Sequence, residues 1–277
     1  MELSRAVSMD YLREVSIEAR RNVMKMITHA QAGHVGGALS CMDILVALYF
    51  EVMRVDPARP RWEDRDRFVL SKGHASVALY AVLAERGFFP KRDLMTFDQI
   101  GSRLQGHVDM TKTPGVDMST GSLGHGLSAA AGMALGGKLA SKDFRVHALL
   151  GDGELQEGQV WEAVMFAAGR RLDNLTAIID YNKLQLYGAV AEMLPIEPLL
   201  MKWQAFGWHT MEVDGHDMAQ IIGSLRRAAM EKDRPTVIVA HTVKGKGVSF
   251  MERKVEWHAK PPTHKECERA LAELREA

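Results

Sequence analysis

Several whole classes of protein are excluded by what this chain has little of. Lysine plus arginine equals aspartate plus glutamate at 35 each, so no net field draws it to nucleic acid or to an anionic membrane. No apolar run approaches the roughly 20 residues that a bilayer-spanning helix requires. Only two cysteines occur, Cys41 and Cys267; so far apart, they read as reduced thiols rather than a disulfide, which fits a cytoplasmic enzyme. The stretch Met1 to Arg21 sets four acidic residues among four arginines and has no apolar secretory core. Internal repeats and low-complexity linkers are also missing. What is present is an ordinary globular composition of 277 residues, 47% hydrophobic. That suffices to bury the core of one large domain over residues 1–277, with a carboxy-terminal tail from about residue 250.

Helix and strand patterns alternate along the chain. Leu12, Val15, Ala19, Val23, Met26 and Ile27 recur at helical spacing between Tyr11 and Ala30. Residues 42–52 form a second helix with Asp43 in its first turn. A short strand at Arg67 to Leu70 leads through the turn Ser71-Lys72-Gly73-His74 into an apolar helix over 75–86. Residues 127–139, rich in Ala and Gly, form a buried helix packed closely on a sheet. Arg145 to Leu150 and Leu175 to Ile179 are short apolar runs bounded by polar residues, hence buried strands. Trp208 to Val213 and Thr236 to Ala240 complete the strands, with a helix over 218–231 between them. This order predicts an α/β fold: a doubly wound, mainly parallel sheet with helices on both faces. Beyond Val243, Lys244-Gly245-Lys246-Gly247 reads as a mobile basic loop and Thr263 to Glu276 as a solvated terminal helix.

The chemistry concentrates between Asp152 and Asn182, thirty residues apart. Asp152 lies at the carboxyl end of one predicted strand and Asn182 just past the next, with a helix between. Ligands of open parallel sheets bind at that edge. A carboxylate and a carboxamide oxygen converging there are hard ligands, suited to Mg²⁺ or Ca²⁺ carrying a phosphorylated cofactor. Gly151 and Gly153 flank the acid, letting the backbone approach a phosphate and open the next helix with free N–H groups.

Gly151-Asp152-Gly153 through Asn182 resembles the thiamine-diphosphate signature, in the form found in transketolases. The resemblance rests on Gly-Asp-Gly-Glu-Leu-Gln-Glu-Gly (151–158) and Asp180-Tyr181-Asn182-Lys183-Leu184. It extends to Ala32-Gly33-His34, Leu70-Ser71-Lys72-Gly73-His74, Ser119-Thr120-Gly121-Ser122-Leu123-Gly124 and Glu256-Trp257-His258. These motifs run in order from about residue 30 to residue 260. The family fold is a diphosphate-binding domain of the kind already expected.

The resemblance implies roles for particular residues. Asp152, Asn182 and the backbone carbonyl of Leu184 would hold Mg²⁺, or Ca²⁺ or Mn²⁺ in its place, on thiamine diphosphate. His74 and the Gly153 amide would touch the diphosphate, with Glu154 in the same motif. Gly121 and Leu123 would form the loop against the aminopyrimidine and thiazolium rings. Lys244 either reaches the diphosphate or sits in a solvated loop. His34, His107 and His258 are candidates for moving the hydroxyl protons of a sugar, a task that suits an imidazole with a pKa of about 6.5; His258 also borders the cofactor. Glu157 would link two active sites across a subunit interface, or simply place charge at a helix N-terminus. Two departures from the family stand out: Val116 follows Thr113-Pro114-Gly115, and His125 stands where glutamine is common.

In transketolases the glutamate that activates the cofactor and the arginines that bind sugar phosphate lie in a second, pyrimidine-binding domain. The motifs here stop at His258. The chain therefore resembles the amino-terminal subunit of a split transketolase, inactive without a separate carboxy-terminal subunit, and is expected in an α2β2 heterotetramer. It would transfer a two-carbon ketol unit between sugar phosphates, as in pentose phosphate metabolism. Rival expectations are a related enzyme acting on an unusual phosphorylated or sulfonated sugar, and a non-catalytic cofactor-binding subunit.

Overall fold

Five parallel strands form the centre of the protein, in the order β1-β2-β3-β5-β4. They are β1 (Arg67–Leu70), β2 (Val146–Gly151), β3 (Leu175–Tyr181), β4 (His209–Asp214) and β5 (Thr236–His241). The computed structural model describes residues 7–276; Met1 to Ala6 of the stretch read above for a leader lie outside the described residues. Each expected strand is present, and all are parallel.

Two apolar cores flank the sheet because successive strand side chains point to opposite faces. Phe68, Leu70, Leu149, Ile178, Ile238 and Ala240 face one core. It is covered by α1 (Met9–Ala30), α2 (Val35–Ser40), α3 (Met42–Ala47), α4 (Ser76–Arg86), α9 (Met218–Met230) and α10 (His264–Glu276). Val69, Ala148, Leu150, Ala177, Ile179, Val237 and Val239 face the other. There α5 (His125–Leu139), α6 (Gly158–Gly169), α7 (Val190–Met193) and α8 (Leu199–Ala205) close the layer. The connection from β3 skips one strand position to reach β4, and α9 returns the chain to β5 on the opposite face. A reversal of direction in a right-handed parallel sheet requires that change of face.

Local chemistry accounts for the element ends. Ser8 accepts the Tyr11 N–H and caps α1, with Asp10 in its first turn. Asp217 caps α9 by accepting the Ala219 and Gln220 N–H groups. Four sequence expectations need correcting. Helix α2 was not foreseen, because Val35-Gly36-Gly37-Ala38 carries two glycines and helix propensity there is poor. The expected helix over 42–52 ends at Ala47 and continues as a π-helical turn. Only one face of α5 is buried; Gly132, Gly136 and Leu139 are exposed. The carboxy-terminal segment is not a solvated tail: Met251 and Trp257 are buried, and Cys267, Ala270 and Leu274 of α10 dock on α1. Both cysteines are buried free thiols. Among the described residues no helix is long and apolar enough to cross a membrane.

At the amino end of the sheet lies an uncompensated polar row. His147, Thr176 and Thr236 are register partners on adjacent strands, all buried, and neither His147 nitrogen nor either threonine hydroxyl has a partner. Burial pulls the His147 imidazole down to about 4. The unfolded chain takes up this proton near pH 6.5 and the folded chain only near 4, so folding stability drains away as pH falls through that window. The slope is at most about 1.4 kcal/mol per pH unit. His147→Leu should therefore gain on the wild type as melts are repeated from pH 7 down to pH 4.5. Melting temperatures that fall in parallel would contradict this.

Candidate active site

The carboxyl ends of four strands open onto one cavity of about 420 Å³. After β1 the chain turns through Ser71 to His74. Gly151 ends β2 and Asp152 and Gly153 follow it, with Asn182 after β3 and Thr242 to Lys244 after β5. His34 enters from the N-cap of α2, and His258 from the turn that buries Trp257. The Trp257 indole donates to the Phe250 carbonyl at 3.1 Å. Its own carbonyl lies so close to Gly36 that a Cβ there would come within 2.8 Å. Of the residues singled out from the sequence, His34, His74, Gly121, Leu123, Asp152, Gly153, Glu154, Glu157, Asn182, Leu184, Lys244 and His258 all line this cavity. His107 stands beside it, its ring 6.1 Å from that of His34. Gly121, at φ 154°, packs on His107 so tightly that a Cβ would meet ring carbon Cδ2 at 2.9 Å.

Oxygen donors and a buried charge form part of the cavity lining. The Asp152 carboxylate is buried and accepts the N–H of Gly153 at 2.7 Å and that of Lys183. Burial first, and the nearby Asp180 charge second, push its acid up to about 7. Such an acid gains from a cation. The Asn182 Oδ1 accepts the Leu184 N–H at 3.1 Å. Among the described residues no three His, Cys, Asp or Glu side chains converge into a metal cluster. One carboxylate, one amide oxygen and one backbone carbonyl make a weaker, harder donor set. It fits a divalent cation that arrives with phosphate oxygens of its own.

Histidines crowd the same cavity. The ring of His34 lies 5.2 Å from His74 and 5.6 Å from His258, and His74 stacks on His258 at 5.3 Å. Burial lowers all three, His258 to about 3 and His74 well below the usual range, so each is a neutral imidazole near pH 7. The Nδ1 of His34 is buried without a partner, an arrangement that calls for a ligand. Lys244 corrects the picture of a solvated loop. It is 1% exposed, and its ammonium touches His258 Nδ1 at 2.9 Å and the Gln185 carbonyl at 3.1 Å. Burial, then the Lys72 charge, bring it down to about 8. As donor to Nδ1 it selects the His258 tautomer that carries its proton on Nε2.

The two glutamates behave differently from each other. Both Glu154 oxygens are engaged by protein, with the Ser71 hydroxyl and the Gly124 and Gly151 N–H groups, so it ties three loops together. Glu157 is exposed and sits at the N-cap of α6. Lys72, Asp180, Ser40 and Thr242 were not foreseen as site residues. Lys72 and Asp180 both lie within the quoted motifs, but nothing in a sequence shows that a lysine and an aspartate 108 positions apart will be buried together. Burial opposes the Lys72 charge, yet Asp180 holds its ammonium up at about 12.

Comparison with known proteins agrees with this geometry. Residues 13–274 match the family described as transketolase, thiamine diphosphate binding domain. Over 267 residues the chain is 46% identical to a 6-deoxy-6-sulfo-D-fructose transketolase subunit of Clostridium sp. (strain MSTE9), covering 95% of this chain and 97% of that one. It is 43% identical over 257 residues to one of the subunits of the apulose-4-phosphate transketolase of Phocaeicola vulgatus, covering 93% and 91%. Among solved structures, the transketolase of Leishmania mexicana superposes with a TM-score of 0.91 at 30% identity. That match takes in 98% of this chain and 42% of the longer one. The chain belongs to the transketolase family, as a transferase subunit built on its thiamine diphosphate binding domain.

Proposed function

We propose that this chain is the diphosphate-binding half of a two-subunit transketolase. It would move a two-carbon ketol unit from a ketose donor to an aldose acceptor with thiamine diphosphate and Mg²⁺, in the cytoplasm. The observation that carries the reading is the convergence, in one cavity, of the Asp152–Asn182 oxygen pair with His34, His74 and His258. Asp152, Asn182 and the Leu184 carbonyl would hold the cation, and His74 with the Gly153 amide the diphosphate. Bound thiamine diphosphate supplies the electron sink that lets a carbon–carbon bond next to a carbonyl break and re-form. The chain's own task is protons. A sugar hydroxyl must lose its proton as the bond breaks and regain it when the new bond forms. The free Nδ1 of neutral His34 can take it, and the Nε2–H of His258, fixed by Lys244, can donate a hydrogen bond beside it.

Substrate recognition has to be shared with a partner. The cations at the cavity, Lys72 and Lys244, are both engaged by protein groups. The anionic end of the sugar is therefore left for another subunit, which would also supply the acid that activates the cofactor. Exposed Leu186 and Tyr187 at the cavity rim offer apolar surface for such a partner, as do Leu139, Met165 and Phe166 on α5 and α6. An assembly of two copies of each chain places two sites about a two-fold axis. The relatives named for sulfofructose and apulose 4-phosphate favour an unusual sulfonated or phosphorylated ketose as the donor. A panel of ordinary and sulfonated ketose donors, assayed on the assembled enzyme, separates this from pentose phosphate chemistry.

Asp152→Ala, with its circular dichroism unchanged, should lose Mg²⁺-dependent binding of thiamine diphosphate in the assembled enzyme. Wild-type affinity by calorimetry would break the cofactor assignment. The histidines should divide by role. His34→Ala and His258→Ala should cost about 10²–10⁴ in turnover with cofactor affinity within a few-fold, whereas His74→Ala should chiefly weaken cofactor binding. Unchanged turnover in the first two would remove them from proton transfer.

A further inference from the structure

Asp180 and Lys72 take no part in the chemistry just described, yet they are among the most deeply buried charged groups in the protein. Their side chains are 0% and 2% exposed and form an ion pair across the end of β2, which lies between their strands. Burying such a pair is costly, and an apolar pair of similar volume is often as stable or more so. Its presence needs a reason other than stability.

Bonding around the carboxylate supplies one. Asp180 Oδ2 accepts from Lys72, from the Ser40 hydroxyl at 2.6 Å and from the Asn182 amide nitrogen Nδ2 at 3.3 Å. Its Oδ1 accepts from the Thr242 hydroxyl. On the opposite side of the same amide, Asn182 Oδ1 accepts the Leu184 N–H at 3.1 Å. An amide has one donor end and one acceptor end, whereas an ionised carboxylate only accepts and a backbone N–H only donates. Turning the Asn182 amide over would set oxygen against carboxylate on one side and NH₂ against N–H on the other. Both neighbours therefore enforce a single orientation.

We propose that the Lys72–Asp180 pair is a positioning device that locks the Asn182 carboxamide with its oxygen, not its nitrogen, presented to a divalent cation. The inference rests on the cation reading given above. Lys72, held in turn by the Gly37 carbonyl at 2.9 Å, keeps Asp180 a pure acceptor. Without that acceptor only the Leu184 N–H still holds the amide, and a turned amide presents N–H groups that repel a metal.

The test uses the full chain purified with its partner subunit, titrated with Mg²⁺ in a calorimeter at saturating thiamine diphosphate, alongside thermal melts. The double substitution Lys72→Met with Asp180→Leu removes both charges at similar volume. It should weaken Mg²⁺ about 10- to 100-fold, the usual effect of losing a group that orients a metal ligand, in protein that the melts show to be folded. In an Asn182→Ala background the same pair of changes should cost nothing further, since the effect runs through that amide. Unchanged Mg²⁺ affinity in the folded variant, or an equal loss in the Asn182→Ala background, would overturn the proposal. Asp180→Asn decides the matter if the double variant does not fold. Its amide keeps the volume but can offer Asn182 either a donor or an acceptor, so the proposal expects about 10-fold weaker Mg²⁺ binding, and unchanged binding overturns it. A wild-type complex showing no Mg²⁺-dependent cofactor binding removes the cation reading itself, and this inference with it.

Discussion

A parallel sheet leaves the ends of its strands side by side, and loops that meet there need something to hold them in register. In this protein much of that holding falls to the Asp180 carboxylate. Lys72 from the end of β1, Ser40 from α2, Asn182 beyond β3 and Thr242 beyond β5 all bond to it. Each belongs to a segment that carries a site residue: His74 follows Lys72, His34 opens α2, and Lys244 follows Thr242. A charge buried this completely is destabilising by several kcal/mol if its partner is removed. The four segments are thus tied to one another as well as to the sheet.

The rest of the site follows from that arrangement of loops. Glu154 repeats the device on the other side of β2, joining the turn after β1, the end of β2 and the start of α5. The cavity they support is lined by oxygen donors and by neutral imidazoles. Burial brings about the neutrality of His34, His74 and His258. The same burial brings Lys244 down to about 8 and lets it share a contact with His258.

Most of the fold was legible because its signals are local. The strand β1 at Arg67–Leu70 follows from the apolar run Phe68-Val69-Leu70, and α1 and α9 from helical periodicity. The oxygen pair was legible too, since the strand-helix-strand spacing of Asp152 and Asn182 sets both at the same sheet edge. What escaped depends on contacts made far along the chain. The two glycines of α2 argue against a helix, but Gly36 lets the Trp257 carbonyl and Lys244 approach, and Gly37 lets Lys72 and His74 do so. The basic loop at 244–247 reads as solvated by composition, whereas Lys244 is drawn inside by the carbonyls of Leu184 and Gln185. The Lys72–Asp180 pair was hidden for the same reason.

The central claim is that this chain forms half of an active site, complete on the cation and diphosphate side and dependent on a second subunit for the rest. Purified chain, shown by mass spectrometry to be free of any companion polypeptide, can be assayed for ketol transfer with and without its partner at matched thiamine diphosphate and Mg²⁺. The account predicts no turnover from the chain alone and robust turnover on mixing. Sustained ketol transfer by the chain alone would contradict it.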